Sequence, residues 1–405
     1  MSGAPPLDDA RGARSAGAQW LSVALMDARN RTLRWLAAFE EAGRLSTPPP
    51  PGMPEAWRLA GCAGWFQEFW VARHVQRARG AAADSGAPRL ASLEPLADAW
   101  FAPSPGQHPG APTAPVLRGY LAATLETTLE LLERAAPDDA GLHVYRLALR
   151  HEDRLSERLA VAAQWLGVLP PPDAGLGAPA PARAPREPLW IPSRRWRPGT
   201  PPEEPGLVPP AEYAGREEVV PEFEIDAQAV NWASFVAFAQ DGGYDDPRWW
   251  SPPGRAWLEQ TGRRAPRGVE QWRGGVVLER FGRLVRVGAA EPAAHVNFHE
   301  AQAWCRWAGR RLCAEIEWEL AAASAGSRGF AWGDVREWTA GRARPWPGAA
   351  DVPVAGLAPP DPAAGLCALR GASSWTAPRD RQLRGRVFVG PARDELFCGF
   401  RSCAA

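Results

Sequence analysis

The sequence predicts two domains, an all-α N-terminal half and an irregular α+β C-terminal half. Three observations carry this reading. Before residue 169, apolar residues recur at helical spacing through four long stretches. The stretch LPPPDAGLGAPAPARAPREP (169–188) has too much Pro, Ala and Gly to bury a core, so it reads as a linker. Beyond it the segments shorten, turns become frequent, and most of the 21 tryptophans are found there. A chain of 405 residues is also too long for one small core.

The elements follow in order. Residues 15–44 place Trp20, Leu21, Ala24, Leu25, Leu33, Leu36 and Ala37 on one helical stripe. STPPPPGMP (46–54) breaks the pattern as a loop. A second helix reads from Glu55 to about Arg77, carrying Trp57, Leu59, Trp65, Phe66, Phe69 and Trp70. Residues 80–114 are irregular. A third helix covers 114–135 and a fourth 141–168. Four long amphipathic helices suggest an up-and-down bundle over 15–168, whose interior is a common place for a metal. In the C-terminal half, 189–405, only 297–312 and 314–324 look helical, and 339–366 lacks a clear element.

Composition excludes several function classes. Acidic and basic residues balance at 46 each, so no global field favours nucleic acid or an anionic membrane. No run of about eighteen uncharged apolar residues could span a bilayer. The N-terminal residues lack a charged start followed by an apolar stretch, which predicts a cytoplasmic location. The six cysteines, at 62, 305, 313, 367, 398 and 403, form no CxxC and no zinc framework, and are expected to be reduced.

HEDRLSERLA (151–160) poses the chemical question. A helical metal site would place a second ligand one turn after His151, and that position is Leu155. Read from the residues alone, Glu152, Asp153 and Glu157 are solvated helix charges pairing with Arg154 and Arg158. His74 lies twelve residues after Cys62, about 18 Å along a helix, too far to share an ion with it. His295 and His299 sit near a helix start. Trp304, Trp307, Trp318, Trp332 and Trp338 read as core, and Arg370 and Arg401 as arginines that tie loops together.

Longer stretches carry a family resemblance. HVNFHEAQAWCRWAGRRLCAEIEWELAAA (295–323), WGDVREWTA (332–340), LRGAS (369–373) and GFRSC (399–403) resemble the formylglycine-generating-enzyme, or sulfatase-modifying-factor, fold, which is C-type-lectin-like. VNWASFVAFAQDGGYDDPRWWSPPGRAW (230–257) resembles a segment of ergothioneine-type sulfoxide synthases. GCAGWFQEFWVARH (61–74) and LALRHEDRLSERLA (147–160) resemble the two metal-binding helices of their DinB-like four-helix bundle. The phrasing at 267–278 and 330–335 is similar to selenoneine synthases.

That resemblance implies a non-haem Fe(II) on three histidines, with open positions for O2 and for a thiol or selenol donor. It implies oxidative C–S or C–Se bond formation on hercynine. Carried over by position, the first histidine falls on Cys62, the second on His151 and the third on Leu155; the glutamate after the third is Glu157. Arg336 stands where the family has tryptophan, Cys313 where proline is usual, and Gly385 near an expected tyrosine. Two readings stay open: the iron-dependent enzyme, and a non-catalytic binding or scaffold homologue that kept the fold and lost the metal. A formylglycine-generating oxidase ranks third, because no cysteine pair follows LRGAS closely.

Overall fold

The computed structural model describes residues 6–50, 52–102, 109–172, 176–177, 181–201 and 203–405. His108 and part of the expected linker (173–175, 178–180) lie outside the described residues.

The helical half holds α1 (Ala10–Ser15), α2 (Ala18–Glu41), α3 (Ala56–Gln67), α4 (Ala97–Phe101), α5 (Ala114–Glu133) and α6 (Asp139–Leu166). The four longest, α2, α3, α5 and α6, pack on one another. The first expected stretch is the single helix α2, with the short α1 ahead of it, separated by Gly17, which is extended and caps the start of α2. Helix α6 begins on Asp138, whose carboxylate accepts from the Gly141 amide, and ends at Gly167 in the left-handed conformation. Its Tyr145 and Leu149 bury against Leu21 and Leu25 of α2. Each fully buried leucine there contributes about 1.5–3 kcal/mol. Trp57 and Ala60 of α3 bury against Tyr120 and Leu121 of α5. Gly61 of α3 lies under Phe101: a Cβ on it would meet that ring at 2.0 Å.

The second helix is shorter than its pattern. After Gln67 it widens into a π-turn over Glu68–Ala72 and stops. Buried Glu68 gives the reason, since it accepts from Tyr120 Oη at 2.6 Å and Ser92 Oγ at 2.9 Å. Those partners pull its backbone out of α-helical register. His74 is therefore off the helix, bridged to Arg89.

In the C-terminal half, one four-stranded sheet runs Leu189–Ile191, Phe223–Ile225, Ser402–Ala404 and Arg310–Leu312. Another runs Arg386–Val389, Cys367–Arg370, Arg336–Arg342 and Cys398–Phe400, its last pair parallel. The predicted helix 297–312 ends at Trp307, because Gly309 at φ 64° turns the chain into the strand Arg310–Leu312. Its start is a capping box between Asn297 and Glu300. Trp318 and Trp338 are fully buried. Buried Arg370 donates to Glu319 at 2.7 Å and buried Arg401 to Glu337 at 2.7 Å, so both tie strands and loops together.

The two halves share a core. Trp35, Leu59, Leu155 and Leu159 pack with Trp375 and Phe397 of the C-terminal half. The described part of the linker is strapped down: the Gly177 amide donates to Ser374 O at 3.1 Å, and Arg183 pairs with Asp334 at 2.8 Å. No helix among the described residues is long and apolar enough to cross a membrane.

Candidate functional site

A cavity of about 850 Å³ opens between α3, α4 and α6. Cys62, His151 and Leu155 all line it. On α6, His151, Leu155 and Arg158 fall at i, i+4 and i+7, one stripe facing the cavity. On α3 and its π-turn, Trp65, Phe66, Phe69 and Trp70 supply the opposite wall. In the sequence these aromatics mark the second helix; their spacing of i, i+1, i+4 and i+5 puts them on one face but does not say whether that face meets protein or space. Arg58 and Arg158 complete the lining and carried no sequence signal.

The His151 ring stacks on Phe66, centroids 3.8 Å apart and planes within 8°. Its Nε2 has no hydrogen-bond partner among the described residues. Burial, helped by the positive charges of Arg158 and Arg154, pushes its pKa down to about 3, so the ring is neutral. The Cys62 thiol faces Phe101 O at 3.5 Å. Burial pushes its pKa up to about 11 despite Arg58 and Arg158, so it is a thiol and not a thiolate at neutral pH. Leu155 is 3% exposed and offers only carbon.

The acids of the same helix are not solvated, contrary to the expectation above. Glu152 is fully buried and accepts from Arg29 Nε at 2.8 Å, Thr32 Oγ1 at 2.8 Å and Gln67 Nε2 at 3.0 Å. Asp153 is buried between Arg31 and Arg379, the latter donating at 2.7 and 2.8 Å. Glu157 accepts from Arg336 at 2.9 and 2.5 Å, Ser373 Oγ at 2.7 Å and Thr376 Oγ1 at 3.1 Å. Burial would raise the Glu157 pKa, but Arg336 and the two hydroxyls outweigh it and hold the carboxyl below its ordinary range. Their true partners lie on α2, α3 and the C-terminal half because α6 is the central helix. A charge there has little or no access to water and is stabilised by pairing.

This donor set does not fit a ferrous ion. Iron would need neutral imidazoles, carboxylates or thiolates converging on one point. Among the described residues the cavity offers one imidazole whose Nε2 has no partner, one thiol that would have to give up its proton to bind a metal, and a leucine: two donors at most. Both oxygens of Glu152 and of Glu157 are already committed. Among the described residues, no three His, Cys, Asp or Glu side chains cluster as a metal site. The Glu157–Arg336 pair also gives the arginine at 336 its role, as the cation that pairs with Glu157.

Other histidines stand apart. His74 Nδ1 accepts from the Gln76 amide at 3.1 Å, and His143 Nε2 lies 3.3 Å from Ala355 O. His295 is buried against Phe397, and His299 against Trp257.

Fold and cavity together define a helical region joined to a sulfatase-modifying-factor domain. Residues 198–404 match the family model described as "Sulfatase-modifying factor enzyme 1-like domain", and the chain belongs to that family. It is similar over nearly its whole length to ergothioneine-synthase-type relatives. The hercynine oxygenase of Mycolicibacterium smegmatis is 29% identical over 432 residues, covering 92% of this chain and 96% of that protein. The hercynine oxygenase of Mycobacterium tuberculosis is 28% identical over 448 residues, covering 94% and 97%. The inactive C-alpha-formylglycine-generating enzyme 2 of Mus musculus is 30% identical over 123 residues, covering 29% and 33%.

Proposed function

We propose that this chain is a small-molecule-binding homologue of the hercynine oxygenases that works without iron in its helical cavity. On this reading residues 15–168 are a DinB-like four-helix bundle, 169–188 a Pro/Ala-rich linker, and 189–405 the C-type-lectin-like domain. The observation that carries it is the donor set: the stripe of α6 facing the cavity is His151, Leu155 and Arg158, with Cys62 opposite as a thiol. The carboxylates that could have compensated are held by Arg29 and Arg336. A cavity with aromatic walls and a few polar groups suits a small ligand.

The competing reading is Fe(II)- and O2-dependent coupling of hercynine to a thiol or selenol donor. The near full-length likeness to hercynine oxygenases favours it. One assay separates the two. The purified chain is given Fe(II), O2, hercynine and, in turn, cysteine, γ-glutamylcysteine or a selenosugar, with mass spectrometry for coupled product. Our reading expects no product above the protein-free control with any donor. Multiple turnovers with one donor would overturn it.

A further inference from the structure

The lining of the helical cavity specifies a ligand charge. Trp65, Phe66, Phe69, Trp70 and Phe101 give it flat apolar walls, and no aspartate or glutamate lines it among the described residues. Two guanidiniums do. Arg58 donates one bond, to Ala102 O at 3.0 Å, and Arg158 stands exposed at the rim. Among the described residues neither has an acidic partner, in a protein where most buried arginines are paired with carboxylates. The aromatic faces that might hold a quaternary ammonium are partly taken. The Arg89 guanidinium lies 4.2 Å from the Phe69 centroid and 5.1 Å from that of Trp70, and neutral His151 covers Phe66. A cation entering here would meet the Arg58 and Arg158 guanidiniums and, among the described residues, no compensating carboxylate in the lining.

We infer that this cavity binds a flat, ring-bearing organic anion carrying no cationic group, its ring against the Trp65–Phe69 wall and its anionic end between Arg58 and Arg158. Guanidinium–carboxylate bonds are charge-assisted and can be bidentate, so they are stronger than neutral hydrogen bonds. The same arrangement disfavours a betaine such as hercynine, whose trimethylammonium would sit in the positive field. The inference rests on the iron-free reading above. Product in the coupling assay would sink that reading, whereas the test below addresses ligand charge alone.

The test uses three probes of one shape on the full chain at neutral pH: 2-naphthoate, 2-naphthalenemethanol and 2-naphthylmethylamine, followed by isothermal titration calorimetry. The expected result is 2-naphthoate binding roughly tenfold or more tightly than the amine, with the alcohol between them. In an Arg58→Gln/Arg158→Gln variant, 2-naphthoate weakens by about tenfold while the alcohol changes little. A Leu155→Trp variant, which fills the cavity from α6, loses all three, placing the binding there. Equal binding of amine and carboxylate, or no 2-naphthoate binding at about 1 mM, overturns the inference. So does 2-naphthoate binding that survives both variants. Circular dichroism on each variant confirms that a loss is not unfolding; if Leu155→Trp does not fold, Cys62→Phe fills the same cavity from α3.

Discussion

Helix α6 shows two faces to two environments, and they have opposite chemistry. One face, Glu152, Asp153 and Glu157, is packed inside the protein and every carboxylate is held by arginine. The other, His151, Leu155 and Arg158, borders a cavity and supplies one unpartnered ring nitrogen and one unpaired cation. The buried face cannot change one residue at a time, because removing either partner strands a charge. The cavity face can, because an apolar side chain beside space leaves nothing unpaired. That asymmetry explains how an apolar Leu155 can face the cavity while the glutamate two residues later has a full set of bonds.

Substitutions on the two faces sharpen the contrast. The largest effect is expected on the buried face. Arg29→Leu leaves Glu152 charged and uncompensated, and should cost about 3–5 kcal/mol in urea unfolding. Arg29→Met/Glu152→Met should recover most of that loss, because it removes both charges. Arg336→Gln, at the contact between the halves, should cost about 1.5–3 kcal/mol, since both carboxylates keep two neutral donors but the Glu157 side chain is 12% exposed and that of Glu152 0%. If Arg336→Gln proves as costly as Arg29→Leu, the pairing across the halves is less shared than its hydrogen bonds suggest.

On the cavity face the dependence is on pH. His151 has a folded pKa of about 3, against about 6.5 for an unfolded histidine. Between those values the unfolded chain binds a proton that the folded chain refuses. Stability is therefore intact above about pH 6.5 and falls as pH drops toward 3. His151→Phe removes this penalty. Relative to the natural chain the variant should gain on the order of 1–2 kcal/mol at pH 5, read from urea midpoints at pH 7 and pH 5. At pH 7 itself the smallest effect is expected, within about 1 kcal/mol of the natural chain, because a phenyl ring keeps the stack on Phe66 and strands no polar partner. A large loss at pH 7 would show that His151 makes a bond worth keeping.

What the sequence revealed follows from range. Helices α2, α3, α5 and α6 were legible from their 3.6-residue period, and the start of the helix at Phe298 from Asn297 and Glu300. The π-turn was not, because its cause is Glu68 meeting Tyr120, 52 residues away. The acids of α6 were misread because Arg154 and Arg158 stand beside them in the sequence, although only Arg154 and Glu157 have the i, i+3 spacing of a helical pair. Their partners are Arg29, Arg336 and Arg379, 123, 179 and 226 residues distant. Cys62, His151 and Leu155 could be lined up by resemblance, but the aromatic wall and the two arginines without a carboxylate partner among the described residues emerge only in the folded chain: a Trp/Phe stripe looks the same whether it packs on protein or borders a cavity.

The most direct measurement is anaerobic Fe(II) titration of the natural chain beside a Cys62→His/Leu155→His variant, with metal analysis after dialysis. The account predicts no stoichiometric iron on the natural chain. It predicts retained iron on the variant, whose two new imidazoles join His151 on the scaffold. Stoichiometric, dialysis-resistant iron on the natural chain would contradict it, and would mean that Cys62 and His151 recruit a donor set the folded cavity does not present.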